Sequence, residues 1–158
     1  MLTYSIPFEA FDAPEALPAH ARTLWEKALE ATQLSYAPYS RFRVGAALLL
    51  EDGQILQGAN QENAVYPSGL CAERVVLFQY GLRPQVPIQS IAVVACNESG
   101  VFVPVTPCGA CRQVMVEYCE RQTSPVEIFF QADEKQIYRL PNVLDLLPAH
   151  FGAAHLRA

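Results

Sequence analysis

The spacing of hydrophobic and polar positions predicts the elements in the first third of the chain. Apolar residues recur at helical spacing over 14–35, with most charged residues on the other side, so we predict an amphipathic helix there. Residues 42–50 are largely apolar on both faces, which is typical of a strand buried in a sheet. The polar turn 51–54 then predicts a hairpin with a second strand at 55–59. Residues 1–13 show neither pattern, and we predict an irregular arm.

Hydrophobic runs and turn residues continue to alternate in the rest of the chain, and no repeat, linker or low-complexity segment divides it. We predict helices over 70–80, 108–119 and 141–147, and strands over 88–95, 126–131 and 136–140. Since helices and strands alternate after a leading hairpin, the fold class we predict is α/β, with helices on both faces of a mixed sheet. A chain of 158 residues fits one domain, so we assign 1–158 to a single domain.

Composition and charge exclude several classes of protein. Hydrophobic residues make up 51% of the chain and charged residues 17%, which excludes a mainly disordered chain. The net charge of −5 lacks the basic footprint that polynucleotide binding usually leaves, and it suits a small neutral or cationic ligand better. No apolar run is long enough to span a bilayer, and the first residues lack the features of a signal peptide. We therefore expect a cytoplasmic protein that binds neither membranes nor nucleic acid.

The cysteines are the strongest chemical signal in the sequence. There are five, an odd number, which in a reducing compartment indicates metal or redox chemistry rather than a set of disulfides. Cys71 lies at the start of one predicted helix, and Cys108 and Cys111 lie in the first turn of another. Helix N-termini favour anionic groups, here thiolates. Catalytic zinc sites usually have three protein ligands and leave one position for water, so these three thiols predict a catalytic zinc site.

A Cys-x-x-Cys pair by itself is compatible with more than one kind of site. It also occurs in thioredoxin-type redox proteins and as half of a structural site with four cysteines. Cys96 could be a fourth ligand, but it ends an apolar strand, and we predict that Cys96 and Cys119 are buried core thiols. Glu73 favours the catalytic interpretation because it follows Cys71 by two residues, where a carboxylate can exchange protons with a water molecule that the metal activates.

The charge of the predicted metal site calls for a neighbouring cation. Three thiolates around Zn²⁺ leave a net charge of about −1, which weakens the metal as a Lewis acid. Arg74 directly follows Glu73, and Arg112 directly follows Cys111. We predict that these arginines donate to the sulfur atoms from outside the ligand shell, with Arg74 as the first choice.

Taken together, these segments resemble the homotetrameric cytidine deaminases. The resemblance is carried by residues 39–47, 60–67, 71–74 and 107–113, and by the ending at 146–152. A His or Cys followed by x-Glu, and later by Pro-Cys-x-x-Cys, is the arrangement of zinc nucleobase deaminases, in which the glutamate is the acid and base and not a ligand. The resemblance implies a three-layer α/β/α sandwich around a five-stranded mixed sheet. It also implies one zinc ion per subunit and a homotetramer with shared active sites.

The resemblance further implies roles for particular residues around a bound nucleoside. Glu73 would meet the ring nitrogen of the base, the backbone of Ala72 would contact its carbonyl group, and Phe42 would stack against the pyrimidine. Asn60 and Glu62 would hydrogen-bond the ribose 3′-hydroxyl. A buried asparagine and glutamate just past a strand need polar partners, and ribose hydroxyls are suitable ones.

Three further positions are implied to act between subunits. The backbone of Ala64 and the side chain of Tyr66 would reach a sugar bound in a neighbouring subunit, and Phe151 would close the pocket of another subunit. Without the resemblance, Tyr66 would be an ordinary packing residue and Phe151 a surface anchor in the tail.

The implied function is hydrolytic deamination of cytidine and 2′-deoxycytidine to uridine and 2′-deoxyuridine, with release of ammonia, as in pyrimidine salvage. One alternative is a related zinc aminohydrolase that acts on another cytosine-containing small molecule, such as blasticidin S. Another is a protein with a structural zinc ion and no turnover. The pair Asn60 and Glu62 favours a ribose-bearing substrate, and an open fourth position at the metal would favour an enzyme.

Overall fold

The computed structural model describes residues 1, 3–82, 84 and 86–156. Its α-helices are α1 (Ala19–Ala31), α2 (Ala72–Gly81) and α3 (Gly109–Cys119). Its strands are β1 (Glu9–Phe11), β2 (Arg43–Leu50), β3 (Ile55–Ala59), β4 (Ile88–Cys96), β5 (Phe102–Val103), β6 (Glu127–Gln131) and β7 (Ile137–Leu140). Short 3₁₀ helices occupy Pro14–Ala16, Thr32–Leu34, Tyr66–Ser68, Val143–Leu146 and Ala153–Leu156. Among the described residues, no helix is long and apolar enough to cross a membrane.

The strands form one mixed sheet in the order β1-β7-β6-β4-β2-β3, and β5 also pairs with β4. β4 and β6 run parallel, and the other pairs are antiparallel. This confirms the α/β class and the mixed sheet. The implied count of five strands is too low, because β1 and β5 add to it. Those two strands are only three and two residues long, which is too short to leave a recognisable hydrophobic pattern.

The prediction of an irregular N-terminal arm is wrong at Glu9–Phe11, which forms β1. This strand pairs with β7, so that Glu9 lies opposite Arg139 and Phe11 opposite Ile137. Without β1, the outer edge of β7 would expose unpaired backbone groups. The strand therefore depends on a contact with residues far along the chain, which no local pattern in the arm reveals.

The helices cover both faces of the sheet, as predicted. Helix α1 packs on one face, and the core there includes Trp25, Val94 and Phe129. Helices α2 and α3 pack on the other face against a larger cluster. Two glycines allow close contact with the sheet. A Cβ on Gly45 would overlap the carbonyl oxygen of Ala28 in α1.

A second glycine lets α2, which carries Glu73, pack closely against the sheet. A Cβ on Gly58 of β3 would lie 2.7 Å from the backbone nitrogen of Val76 in α2. Real Cβ atoms do not approach other atoms so closely, so glycine sets the distance between α2 and the hairpin strand.

A buried carboxylate links α1 to three strands of the sheet, β4, β6 and β7. Glu127 is 8% exposed, and its oxygens lie 2.7 Å from Ser90 Oγ, 2.6 Å from His20 Nε2 and 2.7 Å from Arg139 Nε. Burial by itself raises the pKa of Glu127, but the hydrogen bonds from Ser90, His20 and Arg139 outweigh it and hold the pKa below its ordinary value. The ionised form is therefore stabilised in the folded chain.

Replacing Glu127 by glutamine should lower the free energy of unfolding by about 1–3 kcal/mol at pH 7, because hydrogen bonds to a buried charge are lost. The folded-state pKa is lowered from 4.5, so the stability that the carboxylate contributes is complete above that pH and is lost as the pH falls below it. Urea unfolding from pH 7 downwards should therefore show the two proteins converging. Glu30→Gln is the control, since Glu30 forms an exposed pair with Lys27. Equal effects of the two substitutions would contradict the prediction.

Candidate active site

Three cysteine side chains meet where the first turns of α2 and α3 come together. Cys71 is the N-cap residue of α2, Cys108 is the N-cap residue of α3, and Cys111 lies in the first turn of α3. The Sγ atoms of Cys71 and Cys108 are 3.9 Å apart, and those of Cys108 and Cys111 are 3.4 Å apart. All three sulfurs lie within 4.8 Å of one another.

These distances suit a zinc ion. Zn–S bonds of about 2.3 Å in a tetrahedron place the sulfurs about 3.8 Å apart. A disulfide would need a separation of about 2 Å, which none of the pairs shows. Cys96 and Cys119 are buried, and neither belongs to the cluster. Three thiols with no fourth protein ligand among the described residues are the donor set of an open zinc site.

Both helix starts are locally suited to thiolates. The backbones of Cys71 and Cys108 are extended, and neither side chain caps its helix through a hydrogen bond. The first turn of a helix carries partial positive charge, which favours anionic sulfur at both helix starts. The hydrogen bond with Cys111, reinforced by Arg74 and Cys108, lowers the pKa of Cys71 to about 5 although burial opposes it.

Glu73 lies beside the thiols in the first turn of α2. It is 3% exposed, so its carboxyl group has almost no contact with bulk water. Burial raises the pKa of Glu73 to about 7, and the neighbouring Cys71 adds to this effect. A carboxyl group in such a place can hold or release a proton near neutral pH.

The two arginines predicted to donate to sulfur have different partners. Arg74 Nη2 lies 3.7 Å from Cys71 Sγ and 3.3 Å from the carbonyl oxygen of Gly69, and its buried Nε has no partner among the described residues. Arg112 instead donates from Nε to the carbonyl oxygen of Pro107 at 2.8 Å and from Nη1 to that of Leu146 at 3.1 Å. The structure therefore places Arg74 at the sulfurs and gives Arg112 a contact with the backbone.

A cavity of about 740 Å³ opens in front of the thiols and Glu73. This volume is in the range of small-molecule sites. Its wall includes the predicted residues Phe42, Asn60, Glu62, Tyr66, Cys71, Glu73, Arg74 and Cys108. The predicted residues that do not line it are Ala64, Ala72, Cys111, Arg112 and Phe151. Residues from four of the segments singled out in the sequence, 39–47, 60–67, 71–74 and 107–113, thus line one cavity, although these segments lie far apart in the chain.

The amide of Asn60 is held in one orientation. Its Oδ1 accepts hydrogen bonds from Ser35 Oγ at 2.5 Å and from the backbone nitrogen of Val44 at 2.8 Å. Its Nδ2 donates to the carbonyl oxygen of Phe42 at 2.9 Å. If the amide were flipped, its NH₂ group would face the backbone N–H of Val44, and both groups are donors. One N–H of the amide remains to donate to a ligand.

The carboxylate of Glu62 has the opposite polarity. It accepts hydrogen bonds from the hydroxyl of Ser40 and, at 2.9 Å and 3.3 Å, from the backbone nitrogens of Tyr39 and Ser40. The bond from Ser40 is the main cause of a lowered pKa, so Glu62 stays ionised and can only accept. Ser35 and Ser40 were not predicted from the sequence. Their position in the segment between the 3₁₀ helix Thr32–Leu34 and β2 was the available signal.

Phe151 lies on the surface of the chain. The residue is 57% exposed and its ring stacks on His155 at 5.2 Å, while its carbonyl oxygen accepts a hydrogen bond from Gln113 Nε2 at 2.7 Å. Tyr66 is 76% exposed although it borders the cavity. Both rings are thus available for contacts outside the chain.

Comparisons with known proteins agree with this arrangement. The family model described as "Cytidine and deoxycytidylate deaminase zinc-binding region" matches residues 18–125, which include all three clustered cysteines. The cytidine deaminase of Halalkalibacterium halodurans is 45% identical over 130 residues, covering 82% of this chain and 92% of the relative. The crystal structure of cytidine deaminase from Burkholderia pseudomallei is 39% identical, with a TM-score of 0.70 over 85% of this chain and all of that one. The cytidine deaminase structure from Mycobacterium tuberculosis, at 34% identity, gives a TM-score of 0.65 over 84% of this chain and 97% of the other.

Proposed function

Because this chain belongs to the cytidine and deoxycytidylate deaminase family, we infer that it is a zinc-dependent cytidine deaminase, which hydrolyses cytidine to uridine and releases ammonia. The observation that carries this inference is the cavity of about 740 Å³ whose wall includes two of the clustered thiols, Cys71 and Cys108, and Glu73 together with Asn60 and Glu62. A deaminase needs both groups of residues, the thiols and Glu73 to displace the amino group and Asn60 and Glu62 to hold the sugar.

The residues proposed to carry out the chemistry are of two kinds, metal ligands and a proton carrier. Cys71, Cys108 and Cys111 would hold the zinc ion. Zinc in such a site lowers the pKa of water towards neutrality and so supplies a nucleophile. Glu73 would take one proton from the attacking water and deliver it to the ring nitrogen of the base. It would then move the second proton of that water from the newly attached oxygen to the departing amino group, which leaves as ammonia. The near-complete burial of Glu73 keeps bulk water from competing for these protons.

Asn60 and Glu62 together suit a hydroxyl group that both donates and accepts a hydrogen bond. A ribose 3′-hydroxyl would donate to ionised Glu62 and accept from the remaining N–H of Asn60, which matches the fixed polarity of each side chain. Phe42, whose ring is 38% exposed on the cavity wall, would stack on the pyrimidine. The backbone of Ala72 would contact the base carbonyl. Since this pair reads only the 3′-hydroxyl, 2′-deoxycytidine is expected to be a substrate as well.

A homotetramer with shared active sites forms part of the proposal. Phe151 and Tyr66 are largely exposed residues, and exposed aromatic groups are favourable in subunit contacts. Ala64 is also exposed, beside Tyr66 in the loop after β3. These residues would contribute to the pocket of a neighbouring subunit. We also propose a cytoplasmic location, where a reducing environment keeps the zinc-binding thiols reduced.

Among other substrates, the nearest alternative is a cytosine-containing molecule that lacks ribose, such as blasticidin S. The fixed pair of Asn60 and Glu62 favours a ribose over such a ligand. The net charge of −5 and ionised Glu62 oppose phosphate-bearing chains, so polynucleotides are not expected to bind.

Glu62→Gln should reduce kcat/KM for cytidine by about 10- to 100-fold, because a charged acceptor of the 3′-hydroxyl is lost. With 3′-deoxycytidine, which lacks that hydroxyl, the parent and the variant should differ by only about 2-fold. Glu117→Gln serves as the control, because Glu117 forms an exposed pair with Arg121 away from the cavity. A Glu62→Gln variant that loses activity equally on both nucleosides would refute this role, while turnover of cytidine by the parent would still stand.

A further inference from the structure

The side chain of Arg112 bridges two backbone segments at the metal cluster. Its Nε donates to the carbonyl oxygen of Pro107 at 2.8 Å, and its Nη1 donates to the carbonyl oxygen of Leu146 at 3.1 Å. The side chain is partly buried, and among the described residues it forms no ion pair with a carboxylate. Its contacts are thus directed at backbone carbonyl groups alone.

The bond to Pro107 closes a ring around two of the thiols. Pro107 comes directly before Cys108, and Arg112 comes directly after Cys111, so the hydrogen bond ties together the two ends of the segment that carries both sulfurs. The side chain of Cys108, at the N-cap of α3, makes no capping hydrogen bond. No side-chain N-cap therefore fixes the start of α3. The hydrogen bond from Arg112 instead restrains the backbone just before that start.

The bond to Leu146 fixes this ring to the rest of the fold. Leu146 ends the 3₁₀ helix Val143–Leu146, is 5% exposed and belongs to the larger hydrophobic core. A carbonyl group anchored in a packed core is a rigid acceptor. The planar guanidinium group can satisfy both carbonyls at once in a fixed geometry, which a lysine ammonium group cannot do.

We propose that Arg112 is a positioning residue for the metal, which holds Cys108 and Cys111 at the spacing that zinc requires by clamping the carbonyl groups of Pro107 and Leu146. The inference rests on the proposed assignment of the three cysteines as ligands. The two arginines next to the cluster thus have different roles. Arg74 contacts a sulfur directly, whereas Arg112 acts through the backbone.

The test is a cobalt titration of the full chain after its metal has been stripped, because tetrahedral Co²⁺ thiolate sites absorb visible light. Arg112→Gln should weaken Co²⁺ binding by about 10- to 100-fold, as is typical for groups that orient metal ligands. Arg112→Lys, which can keep one of the two hydrogen bonds, should fall between this variant and the parent. The matched control is Arg22→Gln. Arg22 also donates to two backbone carbonyls, those of Glu15 and Leu17, and it lies in α1, away from the cluster. It should bind Co²⁺ within about 2-fold of the parent.

The outcomes separate positioning from general stabilisation. Arg112 variants that bind Co²⁺ as tightly as the parent with an unchanged spectrum would overturn the proposal, even if their melting temperatures fall. If Arg112→Gln does not fold, Arg112→Lys decides the matter by the same comparison. If the parent chain turns over cytidine and binds Co²⁺, and the Arg112 variants bind Co²⁺ as tightly as the parent, only the role of Arg112 is refuted. A parent chain that binds no Co²⁺ would overturn the metal site and this role together.

Discussion

Exchanging Glu73 for glutamine is expected to reduce kcat for cytidine by about 10⁴-fold while leaving the fold and the zinc content unchanged. Proton transfer by one positioned side chain contributes about 10²–10⁴-fold, and Glu73 is proposed to act in more than one transfer, so the upper end applies. Glutamine has nearly the same shape, so it can occupy the same buried place in the first turn of α2. It cannot, however, take up and release a proton.

The measurement is the steady-state turnover of cytidine by the two proteins, with zinc counted in each preparation. Equal zinc content and equal melting temperatures would assign the loss to chemistry rather than to folding. Turnover by Glu73→Gln within tenfold of the parent would remove Glu73 from the mechanism, even if the metal site were intact.

The second large effect is expected at Cys111, the only fully buried thiol of the cluster. Cys111→Ser should lose the bound zinc and all measurable turnover, because a serine hydroxyl is not ionised at neutral pH and two thiolates do not make a zinc site. The melting temperature should also fall, since the metal stabilises only the folded chain. Zinc content measured by elemental analysis, together with cytidine turnover, checks both expectations.

Cys119→Ser is the matched control for this prediction. Cys119 lies in the same helix, α3, and is 4% exposed, but it is not part of the cluster. Burial raises the pKa of Cys119 to about 12, as befits an inert core thiol. Its replacement should cost stability but leave one zinc per chain and normal turnover. If both serine variants lost zinc equally, or if Cys111→Ser kept it, Cys111 would not be a ligand.

Short motifs whose residues have a direct chemical role were predictable from the sequence. The three cysteines and Glu73 lie at helix starts, and helix starts can be located from local pattern and turn residues. The α/β class and the mixed sheet followed from the alternation of elements, because β2, β4 and β6 are long enough or apolar enough to leave a clear signal.

Features that depend on contacts between distant residues were not predictable. Strand β1 exists because the edge of β7 is available, and β7 lies more than a hundred residues further along the chain. The predicted helix 14–35 is shorter in the structure because Pro18 precedes the first turn of α1 and 3₁₀ helices flank it. The partner of Arg112 could not be read from its place beside Cys111, because Leu146 reaches it only in the folded chain.

The same limit applied to the residues that are proposed to hold the sugar. Asn60 and Glu62 were found through a resemblance to known deaminases, whereas the serines that hold them lie more than twenty residues earlier in the chain. Their hydrogen bonds fix which atom donates and which accepts. That polarity is a property of the fold, and the residue types alone do not contain it.

The most direct test of the proposed function is turnover of cytidine by the unaltered protein, followed by ultraviolet absorbance and by ammonia release, with zinc counted per chain. We expect conversion to uridine with equal amounts of ammonia, one zinc per chain, loss of activity after chelation, and recovery when zinc is returned. Absence of conversion by protein that holds one zinc per chain would contradict the assignment of cytidine as substrate.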